Sequence, residues 1–266
     1  MPELPEVETI RAQLDPLVAG RSIVSASSHP SAKFTPAIEA HGAQIEQVRR
    51  RGKYLLLDLD DQRELIVHLG MTGVLSVPEQ AGDSPYVRAQ WELDDGRWLV
   101  FNDVRRFGRI RVVPAGDYAS ITTLRDLGPE PSDAAFTAQH LHRALNKSSR
   151  RLKTQLLSQR PVAGLGNIYA DEALWLAQIR PTARSISKPA AARLRDACIE
   201  VIESAISNGG TTLRDYRNAE GGSGNNQFYL RCYGRAGEPC ERCTTPLRSM
   251  VVDARTTTWC PTCQKR

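Results

Sequence analysis

Tyr54-Leu55-Leu56-Leu57-Asp58-Leu59, then Asp60-Asp61-Gln62-Arg63, then Glu64-Leu65-Ile66-Val67-His68-Leu69 carries the strongest structural pattern in the chain. Its two apolar runs are strand-length, too short for helices, and parted by a polar break, so they read as successive β-strands. The same character extends outward on both sides. Residues 23–27, 44–50, 73–77, 87–93, 97–102 and 108–113 are further strand candidates, and Asp94-Asp95-Gly96 has the chemistry of a hairpin turn. Several short strands without intervening helices predict an antiparallel sandwich or barrel.

Ahead of the strands, Val7, Ile10, Leu14 and Val18 recur at helical spacing. Pro5 suits the first turn of that helix, Gly20 suits its stop, and Pro16 is expected to kink or shorten it. Behind the strands, residues 114–131 read as a linker. Helices are expected at about 133–146, 149–157, 168–177 and 189–208, the last ended by Gly209. Gly221-Gly222-Ser223-Gly224 reads as a flexible loop. The expected class is therefore α+β in two domains. The N-terminal β-sandwich with its leading helix takes residues 1–114, a linker 115–131, a helical domain 132–225 and a terminal appendage 226–266.

A chain of 266 residues can bury one large or two medium cores. With 41% hydrophobic and 24% charged residues the composition is that of an ordinary globular protein. No apolar run approaches the ~20 residues of a membrane helix. The N-terminal Met1-Pro2-Glu3-Leu4-Pro5-Glu6 is acidic and lacks a signal-peptide core, so a cytoplasmic location with reduced thiols is expected. Charge is unevenly spread. Residues 211–266 hold nine Lys/Arg against five Asp/Glu, nearly the whole net +5 of the chain, which favours a polyanionic partner.

Cys240-x2-Cys243, sixteen residues, then Cys260-x2-Cys263 is the spacing of a structural four-thiolate zinc site, each knuckle giving two ligands around a hairpin. Four protein ligands leave no open position, so the ion is not expected to do chemistry. A redox role for either pair is the competing assignment. Cys198 is expected to pack within its helix, and Cys232 to lie on a strand and not be a required ligand. The hairpin between the knuckles carries Arg248 and Arg255, which points toward phosphate contacts.

Met1-Pro2-Glu3-Leu4-Pro5-Glu6-Val7-Glu8-Thr9 resembles the N-terminus of the formamidopyrimidine-DNA glycosylases. So do His68-Leu69-Gly70-Met71, Arg105-Arg106-Phe107-Gly108, Gly166-Asn167-Ile168-Tyr169-Ala170, Tyr233-Gly234-Arg235 and the cysteine knuckles, in the family's order and across nearly the whole chain. The resemblance implies a helix–two-turn–helix module in the helical domain, one structural Zn2+, and double-stranded DNA with oxidised bases or abasic sites as partner. It implies an enzyme that removes oxidised purines (8-oxoguanine and formamidopyrimidines) and then cleaves the abasic site.

On this resemblance Pro2 is the nucleophile and Glu3 the proton donor. Freed of Met1, Pro2 offers a secondary amine, partly neutral near pH 7. Its attack on the sugar C1′ yields an iminium that acidifies the neighbouring C–H and drives β,δ-elimination. Lys53 matches the family's lysine beside the lesion and its phosphates. Arg255 matches a phosphate contact that donates a proton for δ-elimination. His68, Asn167 and Tyr233 match further phosphate contacts. Met71, Arg105 and Phe107 match the residues that fill the gap left by the extruded nucleotide, Arg105 facing the orphaned base. Taken singly, Met71 and Phe107 would be assigned as strand-end core.

Three departures stand out: Val104 precedes the Arg-Arg-Phe-Gly run where the family has proline, the loop from about Asn218 to Gln227, which in the family folds over the flipped base, is here glycine-rich, and Arg214 stands where lysine is common. Two alternatives remain open from sequence. One is an endonuclease VIII-like enzyme for oxidised pyrimidines; the other is a non-catalytic zinc-ribbon protein that binds damaged DNA. A monomer, bacterial and nucleoid-associated, is expected.

Overall fold

The computed structural model describes residues 1–214 and 216–265; Asp215 and Arg266, both counted in the C-terminal charge balance, lie outside the described residues. The chain divides into two compact units, residues 1–125 with 208–227, and residues 126–207 with 228–266.

In the first unit, helix α1 (Leu4–Val18) buries Leu4, Val7, Ile10, Leu14 and Val18 on one face, and Pro16 lies inside it without ending it. Its first turn is tied by a capping box, in which Glu6 Oε2 accepts the Glu3 backbone N–H at 2.7 Å. Eight strands follow: β1 (Ile23–Ser28), β2 (Ile45–Arg51), β3 (Tyr54–Leu59), β4 (Arg63–His68), β5 (Gly73–Ser76), β6 (Val87–Leu93), β7 (Trp98–Asp103) and β8 (Arg109–Pro114). They form two four-stranded antiparallel sheets, ordered β1-β6-β7-β5 and β2-β3-β4-β8. Leu55 and Leu57 of β3, Leu65 and Val67 of β4, and Trp91, Leu99 and Phe101 from the other sheet enter one core with the apolar face of α1.

A 3-10 turn, Thr35–Ala40, had no counterpart in the sequence reading. Its Ala37 carbonyl accepts the buried Trp91 indole N–H at 2.8 Å, which is what holds it. A short helix α2 (Thr122–Arg125) lies in the stretch expected to be plain linker.

Residues 208–227, read in sequence as the end of the helical part and a flexible loop, pack with the first unit. Glu6 Oε1 accepts the Thr211 N–H at 2.7 Å, and Tyr216 and Ala219 enter the first unit's core. Gly224 is required here: a Cβ on it would fall 2.1 Å from the Gly210 carbonyl oxygen. The glycines thus serve a close backbone contact as well as a turn.

The second unit contains α3 (Ala138–Leu145), α4 (Leu152–Leu157), α5 (Asn167–Leu176), α6 (Lys188–Ser207) and the antiparallel hairpin β9 (Arg248–Val252) and β10 (Arg255–Trp259). Cys198 is buried in α6, as expected. Cys232 lies at a bend, not on the strand predicted for it. Its buried S–H donates to the Thr258 carbonyl at 3.1 Å, and a short apolar run had mimicked a strand. Among the described residues no helix is long and apolar enough to cross a membrane.

Candidate active site and nucleic-acid interface

Pro2 and Glu3 immediately precede α1, and both are buried, while Met1 is 54% exposed. With Met1 attached, the Pro2 nitrogen is an amide and not a nucleophile. Glu6 holds this end in place by accepting N–H groups from Glu3 and Thr211. Two residues on, Glu8 Oε2 accepts from Arg50 Nε at 2.7 Å, tying α1 to the end of β2. The tight β2–β3 turn then carries Lys53 behind Gly52, whose φ of +57° suits glycine. Lys53 is 3% exposed.

His68 pairs in register with Tyr54 across β3 and β4, and the two rings lie 4.7 Å apart. Burial, reinforced by the Lys53 and Arg109 charges, lowers its pKa from 6.5 to about 4. It is therefore neutral at pH 7. Its Nδ1 accepts the Gly70 N–H at 3.1 Å, which leaves the proton on Nε2 as a donor.

Met71, Arg105 and Phe107 come together on two adjoining loops. A Cβ at Gly70 would lie 2.4 Å from the Gly108 nitrogen, so only glycine lets the β4–β5 turn meet the β7–β8 loop this closely. Met71 is 36% exposed and Phe107 49%, which removes the strand-end core assignment for both. Arg105 is exposed, with its guanidinium 5.0 Å from the Phe107 ring centroid. Asp103 and Thr72, unmarked in the sequence, brace this loop. Arg105 also lines a cavity of about 640 Å3 with Thr72, Tyr86, Asn102, Arg214 and Arg217. Three guanidinium groups on one cavity favour an anionic occupant.

In the second unit α5 organises the remaining candidates. Asn167, its first residue, donates from Nδ2 to the Thr256 carbonyl at 2.9 Å, beside exposed Arg255 on the hairpin. The hairpin's turn residues Asp253 and Ala254 both have positive φ. Lys153 of α4 and Asp171 of α5, both fully buried, form an ion pair at 2.6 Å. Lys153 Nζ also donates to Thr257 Oγ1 at 2.8 Å, and Asp171 Oδ2 accepts the Thr258 N–H at 2.9 Å, so the pair docks β10 on the helices. Burial raises the Asp171 pKa to about 6, against the pull of Lys153. Glu172 takes the N–H groups of Arg231, Cys232 and Tyr233 at 3.0, 2.8 and 2.6 Å, and so places Tyr233.

The four cysteine sulfurs all lie within 4.8 Å of one another, with Cys240–Cys263 at 4.0 Å and Cys243–Cys260 at 3.5 Å. Zn–S bonds of about 2.3 Å in a tetrahedron give sulfur edges of about 3.8 Å, so the set fits zinc. Burial and the neighbouring thiols push the Cys263 pKa up, so the four cannot ionise together without a divalent cation. The cysteines hold one structural zinc ion, which crosslinks the two knuckles. Arg242 fastens the first knuckle to α5, lying 4.2 Å over the Trp175 ring and donating to the Trp175 and Leu176 carbonyls at 2.7 and 2.8 Å.

Of the supports, only Glu6 had a local signal, the three-residue spacing from Glu3. Asp103 reaches Thr72 across 31 positions, and Lys153, Asp171 and Glu172 act through partners distant in sequence.

Residues 1–110 match the formamidopyrimidine-DNA glycosylase N-terminal domain, 127–217 the helix–two-turn–helix domain of that enzyme, and 237–266 the zinc finger found in FPG and IleRS. The formamidopyrimidine-DNA glycosylase of Thermus thermophilus is 46% identical over 99% of this chain and 98% of its own. The crystal structure of the MutM (Fpg) protein from the same organism superposes with a TM-score of 0.92 at 45% identity, covering 99% of this chain and 98% of that one. A Lactococcus lactis Fpg variant in complex with DNA containing Fapy-dG has a TM-score of 0.91 at 35% identity, with both chains fully covered. This chain belongs to the formamidopyrimidine-DNA glycosylase family.

Proposed function

We propose that this chain is a base-excision-repair enzyme that extrudes and excises oxidised purines from duplex DNA and then cleaves the abasic site. The observation that carries the reading is the intact pairing of Pro2 and Glu3 at a braced N-terminus with an exposed Met71–Arg105–Phe107 cluster. One supplies a nucleophile and acid, the other a means of filling the gap in the stack. A non-catalytic damage-binding protein would need neither a nucleophile nor its acid.

In this reading Met1 is removed and Pro2 attacks C1′ of the extruded nucleotide, displacing the damaged base as its N-glycosidic bond breaks. Glu3 protonates the ring oxygen to open the sugar, and the resulting iminium makes C2′–H acidic, so the 3′ phosphate leaves. Lys53 and Arg255 contact phosphates flanking the lesion and serve as proton donors, Arg255 in the δ-elimination. Neutral His68 gives an Nε2–H to phosphate, and Asn167 and Tyr233 add contacts from the second unit. The working division is residues 1–114 for chemistry, 132–225 and 226–266 for grip. The enzyme acts as a monomer in the bacterial cytoplasm, associated with the nucleoid.

The test is excision from matched duplexes carrying 8-oxoguanine opposite cytosine or thymine glycol opposite adenine. Faster release of the oxidised purine, leaving phosphorylated ends on both sides of a one-nucleotide gap, is expected. Preference for thymine glycol would overturn the substrate reading.

A further inference from the structure

We propose that Thr72 is a positioning residue for the loop that fills the gap in the DNA stack. Its hydroxyl, oriented by buried Asp103, fixes the backbone of Arg105. The inference rests on the reading that Arg105 and Phe107 occupy the space vacated by the extruded nucleotide.

A hydroxyl has one proton and two lone pairs. At Thr72 the proton goes to Asp103 Oδ1 at 2.6 Å, because a carboxylate only accepts. A lone pair then accepts the Arg105 N–H at 3.0 Å. The other carboxylate oxygen of Asp103 accepts the Gly108 N–H at 2.7 Å, beyond Phe107. One carboxylate, 0% exposed, therefore holds both ends of the excursion from Val104 to Phe107, one end directly and the other through Thr72.

The knot is itself anchored. Arg88, 2% exposed, donates from Nε to the Asp103 carbonyl at 2.8 Å. Inside the excursion Arg106 has φ +57°, a conformation that a side chain adopts only when its surroundings over-determine it. Lys33 Nζ meets the Arg106 carbonyl at 2.8 Å from the other side. The exposed tips, Arg105 and Phe107, thus stand on a buried, directional frame. A carboxylate kept this dry, accepting from a loop that carries exposed DNA-facing side chains, is better explained by positioning than by core stability. A core would place an apolar residue there at lower desolvation cost.

The experiment compares wild type, Thr72→Val, which keeps the branched shape and loses the hydroxyl, and Thr72→Ser, which keeps the hydroxyl. Two quantities are read: hydrogen exchange of the Arg105 amide in the free protein, and single-turnover excision of 8-oxoguanine opposite cytosine against adenine. Thr72→Val should lose Arg105 amide protection, and its opposite-base ratio should fall about ten-fold, the scale of one lost hydrogen bond. Its borohydride trapping on single-stranded abasic DNA, where there is no orphaned base, should stay within about two-fold. Thr72→Ser should restore both quantities.

Unchanged Arg105 exchange in Thr72→Val would overturn the hydrogen-bonded frame. Faster exchange with an unchanged opposite-base ratio would overturn the positioning role. A wild type that excises nothing but traps abasic DNA would instead condemn the substrate reading, while the exchange data still judge the frame.

Discussion

His68 shows how a residue's surroundings change what its identity suggests. A lone strand histidine next to an arginine and a lysine is easily taken for a cationic phosphate anchor, yet burial and those same charges keep it neutral down to about pH 4. The unfolded chain binds this proton near pH 6.5 and the folded protein only near 4. Between these values the unfolded state holds more protons, so stability falls as pH falls through that window. In urea titrations at pH 7, 5.5 and 4.5, His68→Gln should lose less stability on acidification than wild type; equal losses would contradict a depressed pKa. Pro2, Glu3, Met71, Arg105 and Phe107 were all nameable as candidates because each sits in a contiguous motif. Thr72 and Asp103 were not, since their bond spans 31 positions and neither residue type signals a loop brace.

At the scale of elements, apolar spacing located α5 to within one residue, because Ile168, Ala170 and Leu174 face a core and Gly166 precedes the helix. It said nothing of the helix's buried acids. Asp171 and Glu172 look like solvent-facing residues in the sequence, and each is satisfied by groups at least 59 positions away, apart from Lys153. The Cys232 strand failed for the related reason that a four-to-eight-residue apolar run has no distinctive period. Removing one partner from the buried pair should be costly: Lys153→Met strands the Asp171 carboxylate and is expected to lose about 3–5 kcal/mol in urea unfolding. The double change Lys153→Met with Asp171→Leu should regain most of that, since no charge is left unpaired. A single variant as stable as wild type would show that the ion pair does not fasten the hairpin.

At the scale of the molecule, the strand-rich and helical parts and the zinc ligands could be read from local pattern. The return of residues 208–227 to the first unit could not, because it depends on Glu6 meeting Thr211 across 205 positions. Chelating the zinc, or replacing Cys243 by Ser, should weaken DNA binding by at least about ten-fold in fluorescence anisotropy while β-sheet circular dichroism is preserved. Unchanged affinity would remove the zinc hairpin from the DNA grip. The zinc module is nonetheless scaffold, and the account places bond-breaking at the other end of the chain. Its most direct test is to incubate the mature protein with abasic duplex DNA and borohydride, then digest the covalent product and map the attached peptide by mass spectrometry. The expected adduct lies on the nitrogen of Pro2 and is absent when Met1 is retained on that nitrogen; an adduct on Lys53, or one formed at full yield with Met1 retained, would contradict this.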